Sequence, residues 1–200
     1  MKFAQSIASR LALTSLCIAV LLAGCHKTAD SPADFESAIN DYYKAHPACL
    51  WSEPKKFPVQ AATSDESKTE GYDALTDAGL LTRTTGEKRV MIIASKQVNN
   101  YDVSDKGRST WTQNPTQPGY GNFCYSGREV TSIDSFATGA SSDGAKTATV
   151  NYHYKVGSMA AWANSQEMQT AFPEIASAMS GQQVGHANLV MTGDHWQVTK

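Results

Sequence analysis

The side chains in this chain that could do chemistry are five histidines, a scatter of carboxylates and four cysteines. His46 precedes Pro47 at the end of a helical pattern, His153 lies on the polar side of an alternating strand, and His186 and His195 flank a hairpin near the C-terminus. An acid–base or metal site needs two or three such groups brought together, and nothing in their spacing forces them to meet. Asp73 and Asp77 lie four residues apart on one face of a short helical pattern. Paired carboxylates do acid–base work when burial separates their pKa values; on an exposed helix they read as a solvated face. The chain has no HExxH, GxSxG, GxxxxGK(S/T) or GxGxxG signature. No catalytic residue, cofactor or metal site is expected.

Aromatic residues offer a different chemistry. Trp162 and Trp196 fall in regular patterns with apolar neighbours and read as core. Trp51 and Trp111 sit in or beside the proline-bearing segments "WSEPKKFP" and "WTQNPTQPG", and Tyr120 sits in a glycine-rich stretch. Aromatic rings on surface loops form binding surfaces for glycans or partner proteins, so Trp51, Trp111 and Tyr120 form the candidate binding surface. Ser52-Glu53-Pro54-Lys55 is similar to the Ser-x-x-Lys element of penicillin-binding proteins. That element needs a helix start and a Lys-Thr-Gly partner, and the partner is missing.

The N-terminus carries the most specific signal. Lys2 and Arg10 precede the apolar run "LALTSLCIAVLLAG", and no acidic residue appears before Asp30. A membrane-crossing helix needs about 20 apolar residues, so this shorter run reads as a secretory signal peptide. Leu22-Ala23-Gly24-Cys25 resembles the lipobox of bacterial lipoproteins. The resemblance implies removal of residues 1–24, acylation of Cys25 and a stable hold on the membrane, because several acyl chains anchor where one does not. His26, in place of Asp after the cysteine, leans towards the outer membrane, with the folded part facing the periplasm. On this reading Cys17 is removed and Cys25 takes the lipid. That leaves Cys49 and Cys124 as a disulfide pair in an oxidising compartment.

The elements that must position these groups follow from local pattern. Residues 25–31 form a lipidated tether and residues 32–200 one domain. Ser31-Pro32 followed by "ADFESAINDYYKAH" predicts a capped helix with Phe35, Ile39, Tyr42 and Tyr43 on one face. "WSEPKKFPVQ" predicts an extended loop, and "GYDALTDAGLL" a short helix with Leu75, Leu80 and Leu81 inward. "TRTTGEKR" predicts a turn, "VMIIAS" a buried strand, and "NNYDVS" and "STWTQ" two strands about a turn at "DKGR". The stretch from "YDALTDAGLL" to "YDVSDKGR" is similar to the last helix and wing of winged-helix domains. Such domains bind DNA, but the exported reading and the chain's net charge of −2 argue against nucleic acid as a partner.

The C-terminal half reads as β. "YGNFCYSGREVTSIDSFAT" predicts a hairpin turning at Ser126-Gly127, and Asp143-Gly144 marks a second turn. "TATVNYHYKV" alternates, with Val150, Tyr152, Tyr154 and Val156 on one side. "SMAAWANSQEMQTAF" predicts a helix capped by Ser158 and ending before Pro173, and "ANLVMTGDHWQVTK" a closing hairpin about Gly193-Asp194. The fold class is therefore α+β: one domain with an antiparallel sheet in its C-terminal half, an N-terminal helix, and a helix before the last hairpin. The expected function is a non-enzymatic binding or scaffolding module, anchored through Cys25 and facing an envelope protein or glycan. The alternative is a small envelope hydrolase or hydrolase inhibitor with a cleft near the disulfide.

Overall fold

A computed structural model describes residues 30–199 apart from 92 and 93, so the expected leader and lipobox and the expected lipidation site at Cys25 lie outside the described residues. The architecture is α+β, with antiparallel sheets throughout.

Helix α1 (Pro32–Ala45) begins as its residues dictate. The Ser31 hydroxyl accepts the Asp34 N–H, Asp34 returns a bond to the Ser31 N–H, and Pro32 occupies the first turn. Phe35, Ile39 and Tyr43, at four-residue steps, are buried. They pack on a four-stranded sheet of order β11-β10-β9-β8, made by β8 (Arg128–Ala140), β9 (Lys146–Val156), β10 (Gln183–Thr192) and β11 (His195–Val198). Val150, Tyr152, Leu189 and Trp196 complete this first core. Gly144 and Gly193, at φ of 83° and 64°, turn the β8–β9 and β10–β11 hairpins. Those left-handed conformations favour glycine.

A second core lies under helix α2 (Glu66–Asp77) and a three-stranded sheet of order β3-β5-β4. Its strands are β3 (Val59–Ala62), β5 (Ala94–Val103) and β4 (Leu81–Met91). Leu75, Leu80 and Leu81 are all buried here, beside Tyr101, Met168 and Ile175. Strand β9 links the two halves, with Val150 and Tyr152 in the first core and Val156 packed against the second.

Five local expectations are corrected. "TRTTGEKR" is not a turn but most of β4, paired with β5 from Leu81↔Val103 to Arg89↔Ser95; its β-branched threonines suit a strand. The run "VMIIAS" is not one strand: Val90 and Met91 end β4, Ala94 and Ser95 begin β5, and residues 92 and 93 lie outside the described residues. "DKGR" is not a turn either. It forms the short helix α3 (Asp105–Thr110), capped by Ser104, whose hydroxyl accepts the Gly107 N–H. There is no hairpin at Ser126-Gly127: β7 (Tyr120–Ser126) pairs with β1 (Ala48–Cys49), β2 (Lys55–Lys56) and β6 (Trp111–Gln113), while β8 pairs with β9. Adjoining strands thus enter different sheets, and Gly127 has none of the positive φ a tight turn requires. Finally, "SMAAWANSQEMQTAF" breaks into a 3₁₀ turn (Ala161–Asn164) and α4 (Gln166–Ala171), and α5 (Pro173–Met179) follows. The cap is Ser165, which accepts the Met168 N–H; α4 does end before Pro173, as expected, and Pro173 opens α5.

Candidate functional site

Strand β7 is the spine of the site. Register places Cys49 opposite Cys124, and the two form a disulfide. The Leu50 N–H still donates to the Phe123 carbonyl at 3.0 Å; beyond it the chain leaves β7 over residues 51–54 before rejoining it at Lys55↔Gly121. The Asn122 carboxamide fills the gap in the ladder. Its oxygen accepts the Trp51 N–H at 3.2 Å, and its nitrogen donates to the Trp51 carbonyl at 2.6 Å. A half-buried backbone pair that would otherwise lack partners in the ladder is satisfied in this way. Gly121 matters for a separate reason: a Cβ there would stand 2.4 Å from the Trp111 Nε1, so only glycine lets the indole lie against the strand.

A cleft of about 810 Å³ opens along this edge, with Cys49, Cys124, Trp51 and Asn122 on one side and Tyr154 and Arg128 on another. Its size suits a small ligand or a short stretch of chain. Glu174, from the first turn of α5, is exposed on the rim.

Two cleft groups have incomplete hydrogen bonding. Arg128 is half-buried, and its guanidinium carbon stands 4.4 Å over the centre of the Tyr43 ring. One nitrogen, Nη2, donates to the His46 carbonyl at 2.7 Å, whereas Nε is buried with no partner. Among the described residues no carboxylate pairs with Arg128. Tyr125 is only 7% exposed and lines the cleft, and its hydroxyl has no hydrogen-bond partner among the described residues. Burial raises the Tyr125 pKa above the usual tyrosine range; Glu174 adds to the rise and Arg128 offsets it, so the ring stands within reach of both charges.

The four described histidines do not meet. His46 Nδ1 lies 2.9 Å from the Tyr42 carbonyl, and its ring stacks on Tyr42 at 4.1 Å. His153 pairs with Asp134 at 2.7 Å, and His186 lies 2.9 Å from the Asn151 carboxamide; His195 pairs with the adjacent Asp194. Of the four, only His46 lines the cleft. Asp73 is engaged with Arg83 at 2.7 Å and the Tyr101 hydroxyl at 2.8 Å, so it does not act as half of a carboxylate pair with Asp77. Ser52 lies in the segment 51–54 and Lys55 on β2, with no helix to carry the lysine over the serine.

The three aromatic candidates separate. Tyr120 is 38% exposed, with the Lys56 ammonium 5.8 Å from its ring centre. Trp51 and Trp111 are half-buried against the second core. Trp51 meets Phe57, Tyr72, Trp111, Phe123 and Phe172, and it alone of the three lines the cleft. Proline-bearing segments read as surface because prolines interrupt ladders, but here they carry the chain over an aromatic cluster that covers them from below. Arg128, Tyr125 and Asn122 were not singled out from sequence. In "GNFCYSGRE" an arginine after a glycine looks like any solvated charge, and only its seat over Tyr43, 85 positions earlier in the chain, gives it a role. No family model matches the chain, and neither curated proteins nor solved structures give a match.

Proposed function

We propose that this protein is a lipid-anchored cell-envelope module, held through Cys25 and facing the periplasm, that binds an envelope component in the cleft beside the Cys49–Cys124 disulfide. The observation that carries this reading is the cleft's lining. It combines the Trp51 and Tyr154 rings with the Tyr125 hydroxyl, which has no partner among the described residues, and with the Arg128 guanidinium, whose Nε is buried without an acceptor. A buried donor left in that state is costly unless a ligand completes it. The described histidine–aspartate pairs lie elsewhere, which favours a binder over the alternative of a small hydrolase. Scaffolding through a protein partner is one form this binding takes.

The test joins anchor and cleft. A photo-crosslinking residue at the exposed, cleft-lining Gln113 should trap an envelope component in cells, whereas the same residue at exposed Glu87 on β4 should not. Labelled palmitate should enter the wild-type protein and not Cys25→Ala. Equal adducts from both positions would remove the cleft from the reading, and label on Cys25→Ala would remove the anchor.

A further inference from the structure

We infer that the cleft is a receptor for a single carboxylate borne on an apolar or aromatic group, with the Arg128 guanidinium as its cation and the Tyr125 hydroxyl as a second donor. This rests on the cleft being the binding site proposed above.

Charge carries the argument first. A guanidinium whose Nε is cut off from water without an acceptor is destabilised at that nitrogen unless an anion or hydrogen bond compensates it. Arg128 has the Tyr43 face below it and one carbonyl acceptor, and among the described residues it has no carboxylate. A guanidinium offers five N–H donors in a fixed fork, a shape that matches a carboxylate two bonds at a time. One donor is used by the His46 carbonyl, Nε is buried without a partner, and the other donors of the fork have no acceptor among the described residues.

Tyr125 supplies an independent observation. Its ring is buried, but its hydroxyl is not sealed from solvent and has no hydrogen-bond partner among the described residues, so it is open to donate to a ligand in the same cleft as Arg128. A hydroxyl beside an unpaired guanidinium is a suitable donor to an anion that the arginine has drawn in.

The remaining walls narrow the class. Trp51, Tyr154, Val156 and the disulfide line the cleft with apolar surface, so the carboxylate's carrier is apolar or aromatic. Glu174 on the rim repels a chain of repeated negative charges, which selects one carboxylate over a polyanion. Two sources offer that chemistry: a free aromatic or aliphatic acid, and the C-terminus of a peptide.

The experiment titrates the purified protein by NMR with 3-phenylpropionate and its amide, and with acetylated tetrapeptides of randomised sequence ending in a free acid or an amide. Both acids should shift the Trp51 indole and Asn122 carboxamide resonances, with the amides binding about tenfold or more weakly. The tighter of the two acids identifies the source. Arg128→Lys keeps the charge but loses the fork and should bind about tenfold more weakly. Tyr125→Phe removes one oxygen, keeps the ring, and should weaken binding several-fold without lowering the melting temperature. If the amides bind as well as the acids, the carboxylate inference falls and cleft binding stands. If neither acids nor amides move the cleft resonances, both fall.

Discussion

The hydroxyls of Tyr43 on α1 and Tyr152 on β9 share a hydrogen bond of 2.7 Å inside the first core, between residues 109 positions apart. It joins the N-terminal helix to the sheet beneath it at the point where Arg128 also rests on the Tyr43 ring. Replacing either tyrosine alone leaves the other hydroxyl buried without its partner. Tyr43→Phe and Tyr152→Phe should each lower stability by about 1–3 kcal/mol, while the double variant loses less than the sum of the two. Urea unfolding of the four proteins measures this, and strict additivity would show that the bond contributes nothing.

Alkaline pH should destabilise the fold through the same residues. Burial, followed by the bond to Tyr152, pushes the Tyr43 pKa far above the usual tyrosine value; burial also raises Tyr152, Tyr125, Tyr101 and Tyr72. A raised pKa means that the folded state keeps its proton where the unfolded chain has lost it. The stabilisation is therefore fully present below about pH 10 and lost as pH rises beyond that. Urea midpoints should be flat in this respect up to about pH 9 and fall towards pH 11, less steeply in the Tyr43→Phe/Tyr152→Phe double variant. A midpoint that holds steady to pH 11 would contradict the assignment.

The disulfide should contribute strongly to stability. Cys49 and Cys124 are 75 positions apart in the chain, and closing a loop of that length restricts the unfolded chain by about 4.5 kcal/mol in the chain-entropy model. Against a usual total of about 5–15 kcal/mol, reduction should lower the melting temperature markedly. The oxidised, folded protein should show no thiol reactivity from either cysteine, and titration of two thiols would disprove the bridge.

Trp51 and Trp111 should behave as packed residues. Each ring lies within 6.5 Å, centre to centre, of several others in the cluster around Phe123. Trp51→Ala and Trp111→Ala should each cost about 3 kcal/mol through lost transfer and a cavity. Tyr120→Ala, at an exposed position, should stay within about 0.5 kcal/mol. Thermal melts of the three variants decide it. Equal, small shifts would return the two tryptophans to the surface role that the sequence suggested for them.

Local pattern alone determined the parts whose causes are local. Helix α1 is legible because its cap, its proline and its four-residue apolar spacing lie within fifteen residues of each other. The alternation of β9 and the Gly193 turn are legible because strand period and positive φ are properties of neighbours in the chain. Burial and sheet membership are properties of distant residues, and only the tertiary structure decided them. Nothing near Gly127 shows that β7 and β8 enter different sheets, since β7 takes its partners from residues 48–56 and 111–113 and β8 from β9. Nothing near Arg128 shows that Tyr43 will lie under its guanidinium. The prolines around Trp51 and Trp111 disfavour regular ladders, which is a local effect; whether a ring beside them is covered depends on Phe123, Tyr72 and Phe172 arriving from other elements. The cleft exists for the same reason. Its two sides come from strands that meet only when long-range pairing closes the chain around the disulfide.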